Sequence, residues 1–218
     1  MRILDLFSGT GSVHKVAKEM GHEIISLDIS NKFSTPTIQV DLMQWDYAKY
    51  APGHFDFIWA GVPCTAYSSL QRINKTPDQR QKGIAEANKI VLLTIEIIEY
   101  FKPTAWVIEN PEGGCLKEQE FMQSLPYYVV SYCKYSFPYR KNTRLWTNIK
   151  NFNAKRCRFD CDALTQDGRH QNAIGNSKRN LGANQRRTYN LWEKFAYPPE
   201  LVRELLLQSQ HDTADNLI

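Results

Sequence analysis

The sequence predicts an α/β protein built on one open, largely parallel sheet with helices on both faces. Three observations carry this. Short apolar runs recur along the first half of the chain, and each stops at a polar or glycine-bearing loop, as buried parallel strands do. Between them lie stretches whose apolar residues recur every three or four positions, the period of a helix. The two patterns alternate, which is the order a doubly wound sheet requires.

Residues 2–6 (RILDL) read as the first strand, followed by a glycine turn and a helix to about Met20, which Gly21 ends. Residues 23–27 form a second strand ending at Asp28, and 37–40 a short third ending at Asp41. Residues 55–60 (FDFIWA) are nearly all apolar and give a fourth. From Gly83 to Phe101 the residues Ile84, Ala87, Val91, Ile95 and Ile98 keep helical spacing. Residues 104–108 are a fifth strand, and 127–135 and 143–147 are later, antiparallel neighbours. From 151 to 185 the pattern weakens into a stretch rich in Asn, Arg, Lys, Gly and Gln. Residues 188–195 and 199–208 read as helices, the second starting on a proline, and the last eight residues as frayed. Three parts are therefore expected: 1–150 the strand-and-helix body, 151–185 a small basic lobe, and 186–218 helices that pack back.

The chain has 218 residues, 42% hydrophobic and 23% charged, enough for a sizeable core. It has no apolar run of 18 residues to span a membrane and no signal-peptide pattern at its start, so a cytoplasmic protein is expected. Five cysteines, an odd number, argue against a disulfide framework. The net charge of +4 is uneven. Between Ser131 and Lys194 stand 14 Lys and Arg against 4 Asp and Glu, a net of +10, while the remainder carries 13 against 19, a net of −6. A basic third on an acidic body suits a polyanion partner, or is simply a solvated face.

In an open α/β sheet, ligands bind beyond the carboxyl ends of the strands. Residues 7–12, 28, 41, 61–64 and 109–111 all follow strands and should share that edge. LDLFSGTGS (4–12) has the form Phe7-x-Gly9-x-Gly11, a turn that lets backbone approach a ligand. It lacks the third glycine of the dinucleotide fingerprint, which points to another nucleoside cofactor. Asp28 is placed to accept from ribose hydroxyls, and Asp41 from an adenine amino group. Cys64 follows Pro63 in GVPCTAYS; alone it is a small buried thiol or a nucleophile. Glu109 in VIENP ends an apolar strand, where a carboxyl can hold or donate a proton, or neighbour a helix cap.

Taken together, the glycine turn, Pro63-Cys64 and Glu109-Asn110 resemble the cofactor, nucleophile and Glu-Asn motifs of the cytosine-C5 DNA methyltransferases. YRKNTRLWTN (139–148) resembles the later arginine motif of a short, phage- or virus-like branch, and YPPELVREL (197–205) the family's end. The resemblance implies a Rossmann-like, S-adenosylmethionine-dependent fold with a small basic C-terminal lobe, acting on a flipped cytosine in DNA inside a bacterial or virus-infected cell. It implies that Phe7, Gly9, Gly11 and Pro63 wrap the cofactor, with Asp28 on its ribose and Asp41 on its adenine. Cys64 would add to C6 of cytosine, Glu109 hold N3 and the exocyclic amine, and Arg144 assist ring or phosphate.

The chain departs from the family at Thr65, where Gln is usual, at Pro111, where Val is usual, and at Asn142-Thr-Arg144, which replaces Gln-Arg-x-Arg. Its shortness leaves little room for target recognition, so RNA or a free cytosine nucleotide remain rival substrates, and a non-catalytic nucleic-acid binder a rival function. Arg72, Lys75, Arg80 and Lys82 follow Cys64 and are expected to meet DNA phosphates. Arg140, Lys141, Lys155, Arg156, Arg158, Arg169, Lys178, Arg179, Arg186 and Arg187 are expected to form the DNA-facing surface. Cys157-x3-Cys161, His170 and Cys133 offer four ligands for a structural zinc, or are packed thiols. A monomer is expected.

Overall fold

In a computed structural model of the chain, residues 1–166, 168–170 and 190–215 are described. Seven strands form one sheet in the order β3-β2-β1-β4-β5-β7-β6. They are β1 (Arg2–Leu6), β2 (Glu23–Asp28), β3 (Ile38–Gln39), β4 (Phe57–Gly61), β5 (Ala105–Pro111), β6 (Tyr127–Ser131) and β7 (Asn142–Thr147). The first five run parallel, and β7 pairs antiparallel with both β5 and β6. Six helices complete the fold: α1 (Ser12–Glu19), α2 (Gln71–Asn74), α3 (Pro77–Phe101), α4 (Glu120–Gln123), α5 (Leu191–Phe195) and α6 (Pro199–Asp215).

The period-two alternation of each strand divides the core in two. Ile3, Phe57, Trp59 and Val107 face one side, where α1 supplies Val13, Val16 and Ala17 and α6 supplies Leu201, Val202, Leu205 and Leu206. Leu4, Leu6, Ile58, Ala60 and Ile108 face the other, against Ala87, Val91, Ile97, Ile98 and Phe101 of α3. Strand order reverses between β1 and β4, so the carboxyl ends of β1, β2, β4 and β5 surround a single crevice.

Several boundaries differ from the sequence expectation. The helix expected from Gly83 starts at Pro77: Thr76 and Gln79 form a reciprocal capping box, and its first turns are polar, outside the apolar period. β6 stops at Ser131, and Tyr132–Lys134 turn as a short 3-10 helix, so Cys133 is not on a strand. The last helix does not end at Gln208 but continues to Asp215, and residues 216–218 of the expected frayed end lie outside the described residues. The expected helix from 188 starts at Leu191 behind an Asn190 cap, and residues 188 and 189 lie outside the described residues.

Candidate active site

The turn after β1 sets the first wall. Phe7, Gly9 and Gly11 all take left-handed backbone, with φ of 60°, 46° and 72°. At Gly9 and Gly11 that conformation costs nothing only because there is no side chain. Gly9 N donates to Asp28 Oδ2 (2.8 Å), and Ser34 Oγ donates to the Gly9 carbonyl (2.7 Å). Asp28 Oδ1 accepts from Ser30 N (2.8 Å), so two backbone amides fix the carboxylate and leave lone pairs facing the crevice.

The second wall follows β4. Asn110 is fully buried, and its Nδ2 donates to the Val62 carbonyl (3.1 Å), two residues before Cys64. Tyr67, buried beyond Cys64, donates to Asn88 Oδ1 (2.9 Å) of α3. Cys64 is thereby held between two anchored backbone points. Alternation along β5 turns Glu109 the opposite way from Asn110, into the crevice. There Glu109 Oε2 accepts from the Tyr197 hydroxyl (3.1 Å) and Oε1 from the Tyr132 hydroxyl (3.4 Å), with Lys141 Nζ 3.7 Å from Oε1.

Phe7, Gly9, Asp28, Pro63, Cys64 and Glu109 line one cavity of about 250 Å³, with Lys141 and Tyr197. Gly11 lines a neighbouring cavity of about 400 Å³ that shares Thr10 and Tyr197 with the first. Burial pushes the Cys64 thiol above its ordinary range, and Glu109 adds to the rise; Lys141 and the backbone amide of Cys64 pull it down. Burial and Glu109 likewise raise Tyr132 and Tyr197, so both hydroxyls keep the proton they donate.

Two expected residues are elsewhere. Asp41 does not line the cavity: its Oδ1 accepts from Met43 N (3.0 Å), capping the turn after the two-residue β3. Arg144 does not reach Cys64. It pairs with Asn110 in the β5–β7 register and so points to the other face. There its Nε and Nη2 donate to Glu112 (2.8 and 3.1 Å), and its guanidinium lies 3.8 Å from the Tyr127 ring centre. The cation at the cavity is Lys141, three residues earlier. Sequence reasoning gave no role at the cavity to Lys141, Tyr132 or Tyr197. Tyr197 opens the YPPELVREL segment, which is its only sequence signal; the other two emerge only once β7 folds back on β5. Tyr197 also explains Gly61, where an added Cβ would stand 1.9 Å from the tyrosine oxygen.

The C-5 cytosine-specific DNA methylase description matches residues 1–123. A Frog virus 3 (isolate Goorha) protein named "Probable DNA (cytosine-5)-methyltransferase" is 35% identical over 94% of this chain and 99% of its own length. The chain belongs to the C-5 cytosine-specific DNA methylase family. As a member it is a DNA (cytosine-5)-methyltransferase, for which S-adenosylmethionine is the expected methyl donor and DNA the implied substrate. A solved structure titled as a DNA modification methyltransferase encoded within an E. coli prophage superposes with a TM-score of 0.50 at 16% identity. It covers 67% of this chain and the match spans 46% of that one, so the likeness supports the Rossmann-like methyltransferase fold. The matched residues 1–123 include Cys64 and Glu109 and stop before β6 and β7.

The expected phosphate-facing cations divide. Lys75 and Lys82 are exposed beside α2 and the start of α3, and Arg80 is half-buried. Arg156, Arg158 and Arg169 are exposed. Lys155 instead pairs with Glu204 of α6, and Arg140 lies over the Phe159 ring at 4.9 Å. Lys178, Arg179, Arg186 and Arg187, with residues 167 and 171–185 of the expected 151–185 lobe, lie outside the described residues. Among the described residues no helix is long and apolar enough to cross a membrane.

Proposed function

We propose that this methylase transfers a methyl group to C5 of a flipped cytosine in DNA through a covalent bond between Cys64 and C6. The observation that carries this is the convergence of Cys64, Glu109, Lys141 and the glycine turn on one cavity. The crevice fits S-adenosylmethionine: the left-handed turn at 7–11 forms one wall, Asp28 offers free lone pairs for ribose hydroxyls, and Phe7 and Phe33 supply aromatic surface. When bound, that cofactor supplies an electrophilic methyl group. Gly11 and Pro63 flank it in this reading, and Asp41, whose Oδ1 caps Met43 N, keeps Oδ2 to accept from its adenine amino group.

Cys64 acts as a thiolate. Its Sγ bonds to C6, and the ring electrons move to C5, which then takes the methyl group. The C5 proton leaves to a water molecule, the C6–S bond breaks, and the thiolate returns. Glu109, held by Tyr132 and Tyr197, takes up a proton to donate to N3 and accepts from the exocyclic amine with its other oxygen. Lys141 offsets negative charge on the thiolate and on Glu109. The base must leave the stack to enter so narrow a site. Lys75, Arg80 and Lys82 are then placed to meet the backbone of the same DNA. Arg144 supports this wall indirectly, through Glu112.

In this reading residues 1–150 carry the chemistry and 151–185 add basic surface, and within 186–218 the described α6 packs back on the sheet. A monomer is part of this reading. The viral relative supports action in the cytoplasm of an infected cell. The Cys133–Cys157–Cys161–His170 cluster takes no part in these steps.

Purified protein with labelled S-adenosylmethionine and duplex DNA is expected to yield 5-methyldeoxycytidine. Cys64→Ala is expected to lose at least about a thousandfold of that product, while still binding the cofactor. Parallel reactions with single-stranded DNA, RNA and dCMP assign the substrate. Label in RNA or dCMP alone would overturn DNA as substrate; a fully active Cys64→Ala protein would overturn the covalent step.

A further inference from the structure

A second group of reactive side chains lies apart from the Cys64 cavity. Cys133, Cys157, Cys161 and His170 bring one ligand atom each to within 4.8 Å of one another. The three cysteines are buried. His170 Nε2 stands 3.4 Å from Cys157 Sγ and 3.3 Å from Cys161 Sγ. Ligands about 2.3 Å from a tetrahedral centre are about 3.8 Å from each other, so these four atoms already have the dimensions of a closed site.

The local backbone is shaped to bring them together. Cys133 sits in the turn after β6. Ser131 Oγ accepts from Cys157 N (3.0 Å), which pins the second cysteine beside the first. The amides of Asp160 and Phe159 donate to the Cys157 sulfur, and Phe159 adopts φ 63° in that turn. An antiparallel bridge from Leu164 to His170 then folds the imidazole back over Cys157 and Cys161. Apolar packing does not account for the convergence. Among the described residues the cluster is its own small core, with partly buried Ala163 and Leu164 packed against the cysteines and the Phe159 ring 5.4 Å from that of His170. A disulfide would use two sulfurs and leave the third and the imidazole without purpose.

We propose that Cys133, Cys157, Cys161 and His170 bind one structural Zn²⁺. Three thiolates with one imidazole are a soft donor set that selects zinc. Four protein ligands leave no open position, which makes the site a brace rather than a catalyst. Binding releases the three thiol protons to solvent. The brace joins two regions: Cys133 adjoins Tyr132, whose hydroxyl holds Glu109, and the stretch from Arg156 to His170 carries the exposed Arg156, Arg158 and Arg169. The metal therefore fixes the basic segment to the wall of the Cys64 cavity.

The test uses the full chain purified without a polyhistidine tag, with metal measured by plasma mass spectrometry. About one zinc per chain is expected, retained on dialysis, lost in Cys157→Ser and kept in Cys115→Ser. Because Cys157→Ser can also fail to fold, the unmutated chain is stripped and refilled with Co²⁺. The intense visible bands and thiolate charge-transfer absorption of a tetrahedral sulfur-rich site are expected. A folded chain that holds no metal and shows no such bands overturns the site, as does a disulfide between two of the three cysteines. Removing the metal is expected to weaken DNA binding at least about tenfold; unchanged DNA binding overturns the bracing role. Metal content is read without DNA or cofactor, so it stands or falls separately from the methyl-transfer reading.

Discussion

The two faces of the β5–β7 ladder hold two glutamates only three residues apart, and they live in different chemistry. Glu109 faces the crevice, where two tyrosine hydroxyls and the more distant Lys141 surround it. Glu112, just past β5, meets Arg144 in a two-pronged pair and Lys117 at 3.2 Å. The first carboxylate is held by neutral donors and keeps capacity for a ligand. The second is saturated by charge. In the proposed mechanism, a strand therefore separates a working carboxylate from a structural one by changing the side on which it emerges. The arginine that the sequence motif assigns to chemistry belongs to the structural side.

The largest expected effect breaks this comparison directly. Glu109→Gln keeps shape and removes the charge and one acceptor, so methylation is expected to fall about 10²- to 10⁴-fold. Glu112→Gln, measured in the same labelled-methyl assay, is expected to cost far less activity. Equal losses from the two changes would erase the distinction between the faces.

Much of the fold was legible because it rests on periodicity. β1, β2 and α1 stand nearly where the spacing of apolar residues puts them, and Gly21 ends its helix in the left-handed conformation. Cys64, Glu109 and the glycine turn were legible because each follows a buried strand, and the sheet forces such ends together. Arg144, Lys141 and Tyr132 were not. Which face a β7 side chain takes depends on its register with β5, and nothing local in KNTRLW fixes that register. The second role of Asp41 was hidden for a related reason, since an aspartate after a short strand is equally suited to cap the next turn.

A smaller effect sharpens the structural side. Arg144→Met removes both prongs and leaves Glu112 with Lys117, which is expected to cost about 1–3 kcal/mol by denaturant unfolding at neutral pH. Burial alone would raise Glu112, but the hydrogen bonds from Arg144 and Lys117 outweigh it, and its carboxyl titrates below the ordinary 4.5. A depressed carboxyl stabilises the fold above its unfolded value and loses that contribution as pH falls through its folded value. The unmutated chain is therefore expected to lose stability more steeply than Arg144→Met below about pH 4.5, where the two curves converge. Parallel curves would mean that the pair contributes nothing to acid stability.

The smallest expected effect concerns Lys141, and its sign separates it from Glu109. In the proposed mechanism Cys64 reacts as the thiolate. Burial raises that thiol most and Glu109 raises it further, while Lys141 lowers it. Methylation should therefore climb as pH rises above neutrality. Lys141→Met removes a lowering influence at nearly constant side-chain length, so the climb should move to higher pH and the neutral-pH rate should fall a few-fold. Glu109→Gln removes a raising influence, so its thiol should ionise at lower pH even though its methylation collapses. Alkylation of Cys64 by iodoacetamide as a function of pH, without DNA or cofactor, reads ionisation alone. Opposite displacements in the two variants would establish that Lys141 and Glu109 act on one thiol from one cavity. Displacements of the same sign would mean that Lys141 does not tune Cys64 and only holds the glutamate.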